Sequence, residues 1–150
     1  MIAKVARFAS IMLESFNFGM SFAHVLEMGP KRELHGPEYA VVQRIYRRYG
    51  RAGSVTTPGA ISATLLSGAL SRDQWKTNAA AAACVAATVG TWWFLNEPVN
   101  REVVEWKPDD LPDDWDQRRD QWEYAHATSA ALHAFALGLV VAGAVREGRR

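Results

Sequence analysis

The sequence predicts an all-α fold, a four-transmembrane-helix up-and-down bundle with an interfacial helix in its first long loop. Three observations predict it. Four nearly uncharged stretches, each about 18 to 24 residues long, match a hydrocarbon core of about 30 Å at the helical rise of about 1.5 Å per residue. The charge is gathered between them: Glu97 to Glu123 holds ten acids against four bases, and Lys31 to Arg51 holds six bases against two acids. No sustained period-two alternation bounded by turn residues appears, so the pattern offers no sheet.

The first span, 5–28, ends at Gly29-Pro30, because glycine ends helices and proline does not continue them. In the loop that follows, PEYAVVQRIYRRYG places Tyr39, Val42, Ile45 or Tyr46, and Tyr49 on one face, with Arg44, Arg47 and Arg48 elsewhere. That stripe fits a helix lying in the membrane interface, and equally a loop helix capping the bundle. The second span, 53–70, has Thr57 and Pro58 placed to open or kink it. The third, 77–95, runs to Leu95 before Asn96-Glu97-Pro98, and the fourth, 124–145, ends before Arg146. Between them WKPDDLPDDWDQRRDQWE begins as a proline-interrupted turn and becomes helical near Asp113, where Asp113 or Asp114 caps it. Trp92, Trp93 and Trp122 fall at span ends, where indoles prefer the headgroup level.

All 150 residues read as one membrane-embedded domain. The mean hydropathy of −0.15 is low for such a protein, and a soluble four-helix bundle is the alternative. The long polar loops lower the average, whereas Ala79 to Leu95 carries no charge and no water-facing side. A formal charge of +1 with both signs plentiful gives no case for nucleic acid. The single cysteine, Cys84, excludes an intramolecular disulfide. The start MIAKVARFASIML lacks a convincing cleavage site and reads as retained. Base density on the short segments, Arg149 and Arg150 included, favours cytoplasmic termini in a plasma (inner) membrane, although raw counts favour the opposite side.

The first span carries an unexpected polar stripe: Glu14, Asn17, Ser21 and His24 fall at helical spacing, with Glu27 one turn further. In an up-and-down chain His24 and Glu27, Asn96, Glu97 and Asn100, and Glu123 and His126 all reach the same side of the membrane. Arg119, Glu123 or Trp122, His126, Ala130 and His133 repeat the pattern on span four, with His133 about 10 Å deeper than His126. Ionisable groups at membrane depth are costly unless paired or hydrated, so His24, Glu27 and His126 read as a site. Asn17 and Ser21 read as helix-to-helix hydrogen bonds. A histidine beside a carboxylate can take a proton from a phenol or an activated C–H group, and Arg119 with the asparagines can stabilise the anion formed. Trp106, Trp115 and Trp122 offer flat surfaces for an aromatic substrate. Two metal readings compete: His24-x-x-Glu27 with Glu123-x-x-His126 has the spacing of paired metal ligands, and His24 with His126 or His133 could hold haem. No role is assigned to His35 or His133.

Three segments, SFAHVLEMGPKRELHGPEYAVVQRIYRRYG, NEPVN and W-x-x-R-R-x-x-W-x-x-x-H from Trp115 to His126, resemble the small four-helix membrane proteins grouped with anthrone oxygenases. The resemblance implies a membrane protein whose anthrone-type relatives oxidise a polycyclic phenolic methylene to a quinone with dioxygen, without metal or flavin. It carries Asn96, Asn100, Trp115, Arg119, Trp122 and His126 over as site residues. The chain departs from the pattern at Ser129, where the family has an arginine.

The leading expectation is therefore a cofactor-independent oxygenase or related proton-abstracting enzyme. Its partners are membrane lipid and a lipophilic aromatic, with His24, Glu27 and His126 as base candidates, Arg119 and Asn96 as anion stabilisers, and Asn100, Trp115 and Trp122 binding substrate. The alternatives are a non-enzymatic membrane subunit or lipid-binding partner, and a metal or haem redox protein using His24, Glu27, Glu123 and His126. Substrate, pathway and oligomeric state are not fixed by the sequence.

Overall fold

A computed structural model describes residues 1–148, apart from the side chains at 47–49 and 148. The sequence-based placements of Arg47, Arg48 and Tyr49 on the loop helix, and of Arg149 and Arg150 at the terminus, lie outside the described residues. The described chain is helical, with no strand beyond an isolated bridge between Lys107 and Asp110. Its elements are α1 (Ile2–Arg32), α2 (Gly36–Gln43), α3 (Arg47–Leu70), α4 (Trp75–Thr91), α5 (Glu97–Val103) and α6 (Trp115–Gly148). Short 3₁₀ turns, Arg44–Tyr46 and Arg72–Gln74, lead into α3 and α4, and a π-helical turn, Trp92–Asn96, joins α4 to α5.

The long helices pack in a ring, α1 against α3 and α6, and α4 against the same two. Small side chains make this possible. Ala60, Ala81, Val85, Ala136 and Val140 form the apolar centre. A side chain at Gly68 would meet Asn78 Cβ at 2.9 Å, so α3 and α4 approach there because residue 68 has none. At the end holding the chain terminus, polar pairs tie helices together. Ser10 and Thr64 hydroxyls lie 2.6 Å apart, Arg7 donates to Ser71 Oγ at 2.9 Å and pairs with Glu147, and Gln74 donates to the Gly143 carbonyl at 2.9 Å.

Polarity is inverted relative to a water-soluble bundle. On α1, Arg7, Ser10, Glu14, Asn17, His24 and Lys31 are buried, while Val5, Phe8, Met12, Phe16, Phe22 and Leu26 are exposed. Water-soluble helices sort these two sets the other way. Two helical runs, Arg72–Val103 and Trp115–Glu147, are long and apolar enough to cross a membrane.

Three boundaries differ from the sequence expectation. Helix α1 does not stop at Gly29-Pro30 but runs to Arg32, with Pro30 inside it. Proline in the last turn forfeits one backbone bond, and the added turn brings Lys31 onto the buried stripe seven residues after His24. Helix α3 begins at Arg47, ahead of the expected 53. The third helix does not end at Leu95: the Glu97 amide donates to the Trp92 carbonyl across the wider π winding, and Pro98 sits in the first turn of α5, where a missing N–H costs least. The loop helix is short, and His35 caps it, its amide donating to Glu38 Oε2 at 3.0 Å. Tyr39 is fully buried against Trp106 and Trp115 and so covers the second loop, while Val41 and Ile45 stay exposed.

Candidate functional site

A cavity of about 560 Å³ opens between α1, α3, α6 and the π turn, at the end nearest the two long loops. Its volume lies in the range of about 300–1,000 Å³ common for small-molecule sites. The helical stripes explain why polar groups meet there: α1 contributes Asn17, Ser21 and His24, and α6 contributes Trp122, His126, Ser129 and His133.

The mouth is a cluster of rings. The His24 and His126 rings have centroids 4.1 Å apart, Trp122 stands 4.1 Å from His126 and 4.9 Å from His24, and Tyr46 lies 4.8 Å from His24. The π turn and α5 pin this cluster from α4's side. Asn96 Nδ2 donates to the Trp122 carbonyl at 3.2 Å, and Trp122 Nε1 donates to Asn100 Oδ1 at 2.8 Å. Asn96 is buried, lines the cavity, and its Oδ1 has no partner among the described residues.

Behind the rings sits a charge lock. Lys31 Nζ lies 3.1 Å from Glu27 Oε2 and 3.4 Å from the fully buried Glu123, and it stacks 4.1 Å over the Tyr46 ring. Tyr46 donates its hydroxyl to Glu27 at 2.6 Å, while His24 Nδ1 stands 3.6 Å from the same carboxylate. Nearer the loops, burial first and then the charge of Glu123 push the Tyr39 phenol well above its usual range, so it stays neutral and accepts a hydrogen bond from Gln43.

The floor is simpler. Nδ1 of His133 on α6 lies 3.1 Å from Oε2 of Glu14 on α1, both buried, and His133 lines the cavity. One turn above, Asn17 pairs with Thr56 Oγ1 at 2.6 Å. That hydroxyl also lies 3.0 Å from the Ala52 carbonyl. Its single proton serves one of the two, and in either arrangement one Asn17 amide atom is left facing no partner among the described residues.

The residues expected from the sequence therefore separate. His24, His126, Asn96, Asn100 and Trp122 line the cavity. Glu27 and Glu123 stand behind them in the lock. Trp115 and Arg119 are not in the wall: Trp115 packs 6.1 Å from Tyr39, and the Arg119 guanidinium stacks 5.2 Å over Trp115 and pairs with Asp120 at 3.0 Å. Among the described residues, the cations that do line the wall are Arg44 and Arg51. The paired-ligand metal reading and the His24–His126 haem reading lose their geometry. The Lys31 ammonium stands between Glu27 and Glu123, and among the described residues no group of three or more His, Cys, Asp or Glu side chains is arranged to hold a metal. Imidazoles as close as those of His24 and His126 leave no room for a porphyrin between them.

Sequence reasoning missed Lys31, whose place seven residues after His24 was the available signal. It also missed the pairing of Glu14 with His133, although both stood on the two stripes at matching depth.

Fold and site together define an all-helical protein of membrane type, built around a partly open cavity that is sized for a small organic molecule and into which its polar stripes reach. The family described as anthrone oxygenase matches residues 43–140, and the chain belongs to it. The matched stretch takes in Asn96, Asn100, Trp122, His126 and His133, while α1, which supplies Glu14 and His24, precedes it. Comparison with the curated proteins and with the solved structures gave no match.

Proposed function

We propose that this chain is an integral membrane protein of four spans, α1, α3, α4 with α5, and α6, with its termini on the cytoplasmic side of a plasma (inner) membrane. Its cavity takes a lipophilic polycyclic phenol from the bilayer and removes a proton from it, so that dioxygen can oxidise the resulting anion without a resident cofactor. For an anthrone-type substrate the balance is a ring CH₂ plus O₂ giving a ring C=O plus water.

One observation carries the reading. A ligand-sized cavity lined by three histidines and by the asparagines Asn17, Asn96 and Asn100 sits inside helices whose outer faces are apolar. Polar side chains in such a place are expensive unless they do something, and buried amide atoms of Asn17 and Asn96 have no hydrogen-bond partner among the described residues. The indole of Trp122 supplies a flat apolar wall, the asparagines supply hydrogen bonds to phenol or carbonyl oxygen, and a cavity histidine takes the proton. Glu27 supports His24 poorly as a base, because its carboxylate is already shared with Lys31 and Tyr46.

The test is oxygen uptake and quinone absorbance with an anthrone, using protein purified in detergent. Saturable turnover above the spontaneous rate is expected, and His24→Ala and His126→Ala should each lose at least 10-fold in kcat/KM. Unchanged turnover in both variants, with the fold weakened, would reduce the mouth residues to helix-to-helix contacts.

A further inference from the structure

The cavity has two candidate bases, and the floor has the better geometry. Glu14 lies near the middle of α1 and is completely buried, a costly place for a carboxyl group without a partner. Its Oε2 faces His133 at 3.1 Å, whereas its Oε1 has no partner among the described residues. A carboxylate that accepts Nδ1–H fixes the imidazole tautomer and leaves Nε2 with a free electron pair. His133 lines the cavity while Glu14 does not, so Nε2 is the nitrogen left for a bound molecule.

At the mouth the arrangement works against a base. The His24 and His126 rings nearly touch, and the Lys31 ammonium stands just behind them. A proton added to His126 would face a cation and a neighbouring imidazole, and one added to His24 would also face Glu27, a carboxylate already shared with Lys31 and Tyr46, whereas a proton added to His133 would face the Glu14 carboxylate.

We propose that His133 is the general base of this site, with Glu14 as the residue that positions it and stabilises its protonated form. The proposal rests on the proton-abstracting function argued above and assigns the step to the floor of the cavity. The substrate C–H bond breaks, its proton passes to Nε2, and the electron pair stays on the ring as an enolate-type anion. Dioxygen is the oxidant: it adds to the anion as a peroxide, and loss of water leaves the carbonyl while the imidazolium returns its proton.

The first half of that sequence needs no oxygen, which allows a direct test. Wild-type protein in detergent is given an anthrone anaerobically in deuterated water, and exchange of its methylene protons is followed by NMR. The wild type should exceed the buffer rate, and Glu14→Gln and His133→Gln should each lower the catalysed exchange about 100-fold or more, with substrate affinity, read by tryptophan quenching, unchanged. Glu14→Asp keeps the charge and should recover part of the rate that Glu14→Gln loses. It is also the variant to read if Glu14→Gln fails to fold. Loss in Glu14→Asp as complete as in Glu14→Gln would make Glu14 a packing residue and overturn the proposal. Exchange that survives in Glu14→Gln and His133→Gln but disappears in His24→Gln or His126→Gln would put the base at the mouth, leaving the proposed function standing and this assignment wrong. A wild-type protein that neither exchanges nor oxidises an anthrone would overturn both.

Discussion

The mouth and the floor of the cavity are built from the same residue types and solve opposite problems. At the mouth one cation is shared: Lys31 pairs with both Glu27 and Glu123, Tyr46 also donates to Glu27, and Trp122 is tied to Asn96 and Asn100. At the floor one carboxylate faces one imidazole. A carboxylate shared with an ammonium has little charge left for a neighbouring imidazole, while the one at the floor is available to its ring. The difference separates residues that shape the site from residues that act in it. Charge alone would not have done so, since both ends hold a glutamate beside a histidine.

The largest effect that tests this contrast is on stability. Lys31→Met removes the ammonium and leaves Glu123, fully buried, without its counter-charge. Breaking one side of a buried pair costs about 3–5 kcal/mol, which thermal or denaturant unfolding in detergent would read directly. The double change Lys31→Met with Glu123→Gln should recover much of that loss. If Lys31→Met unfolds like the wild type but stops turnover, the mouth charges belong to the chemistry and the contrast between the two ends fails.

Lys31 also shows where the sequence stopped being legible. Periodicity exposed the stripes of α1 and α6, because helical spacing and membrane burial leave the same mark on a sequence, and so the Glu14, His24, His126 and His133 positions could be read. Lys31 could not, because Pro30 argues for a helix end, while the contacts that hold Lys31 inward include Tyr46 and Glu123, the latter 92 residues away (31 to 123). The π turn was hidden for a similar reason. NEPVN reads as a break, and it takes the docking of Asn96 on the Trp122 carbonyl to show that the helix continues with Asn96 turned inward. Arg119 misled in the other direction. Its spacing from His126 fits the stripe, but stacking on Trp115 draws its guanidinium away from the cavity.

A smaller effect sharpens the account of the mouth. Asn96→Ala removes one of the hydrogen bonds that join the π turn to α6, another running from Gln121 to the Leu95 carbonyl, and a buried amide oxygen beside the cavity. The lost bond is worth about 1 kcal/mol of stability. Because the deletion loosens Trp122 without touching His133, KM should rise several-fold while kcat changes little. A fall confined to kcat would mean that Asn96 contacts the reacting atoms and that mouth and floor are not divided as argued.

The smallest expected effect falls on Arg119, the residue for which sequence pattern and geometry disagree most. Its side chain is paired with Asp120 and stacked on Trp115 at the edge of the second loop, outside the cavity wall. Its Asp120 partner is solvated, so the pair contributes about 0–1 kcal/mol, and the stacking adds a similar amount, so Arg119→Ala should lower stability by about 1 kcal/mol. Among the described residues the guanidinium groups in the wall are those of Arg44 and Arg51, which a substrate anion would meet before Arg119. Turnover in Arg119→Ala should therefore stay within about threefold of wild type, while Arg51→Ala should raise KM for a phenolic substrate. A tenfold or larger loss of kcat in Arg119→Ala, with KM and melting temperature held, would require the guanidinium to leave Trp115 and reach the ligand. The mouth would then close around its substrate by a movement of α6's first turns, and the division between a rigid mouth and a reactive floor would have to give way to a site assembled on binding.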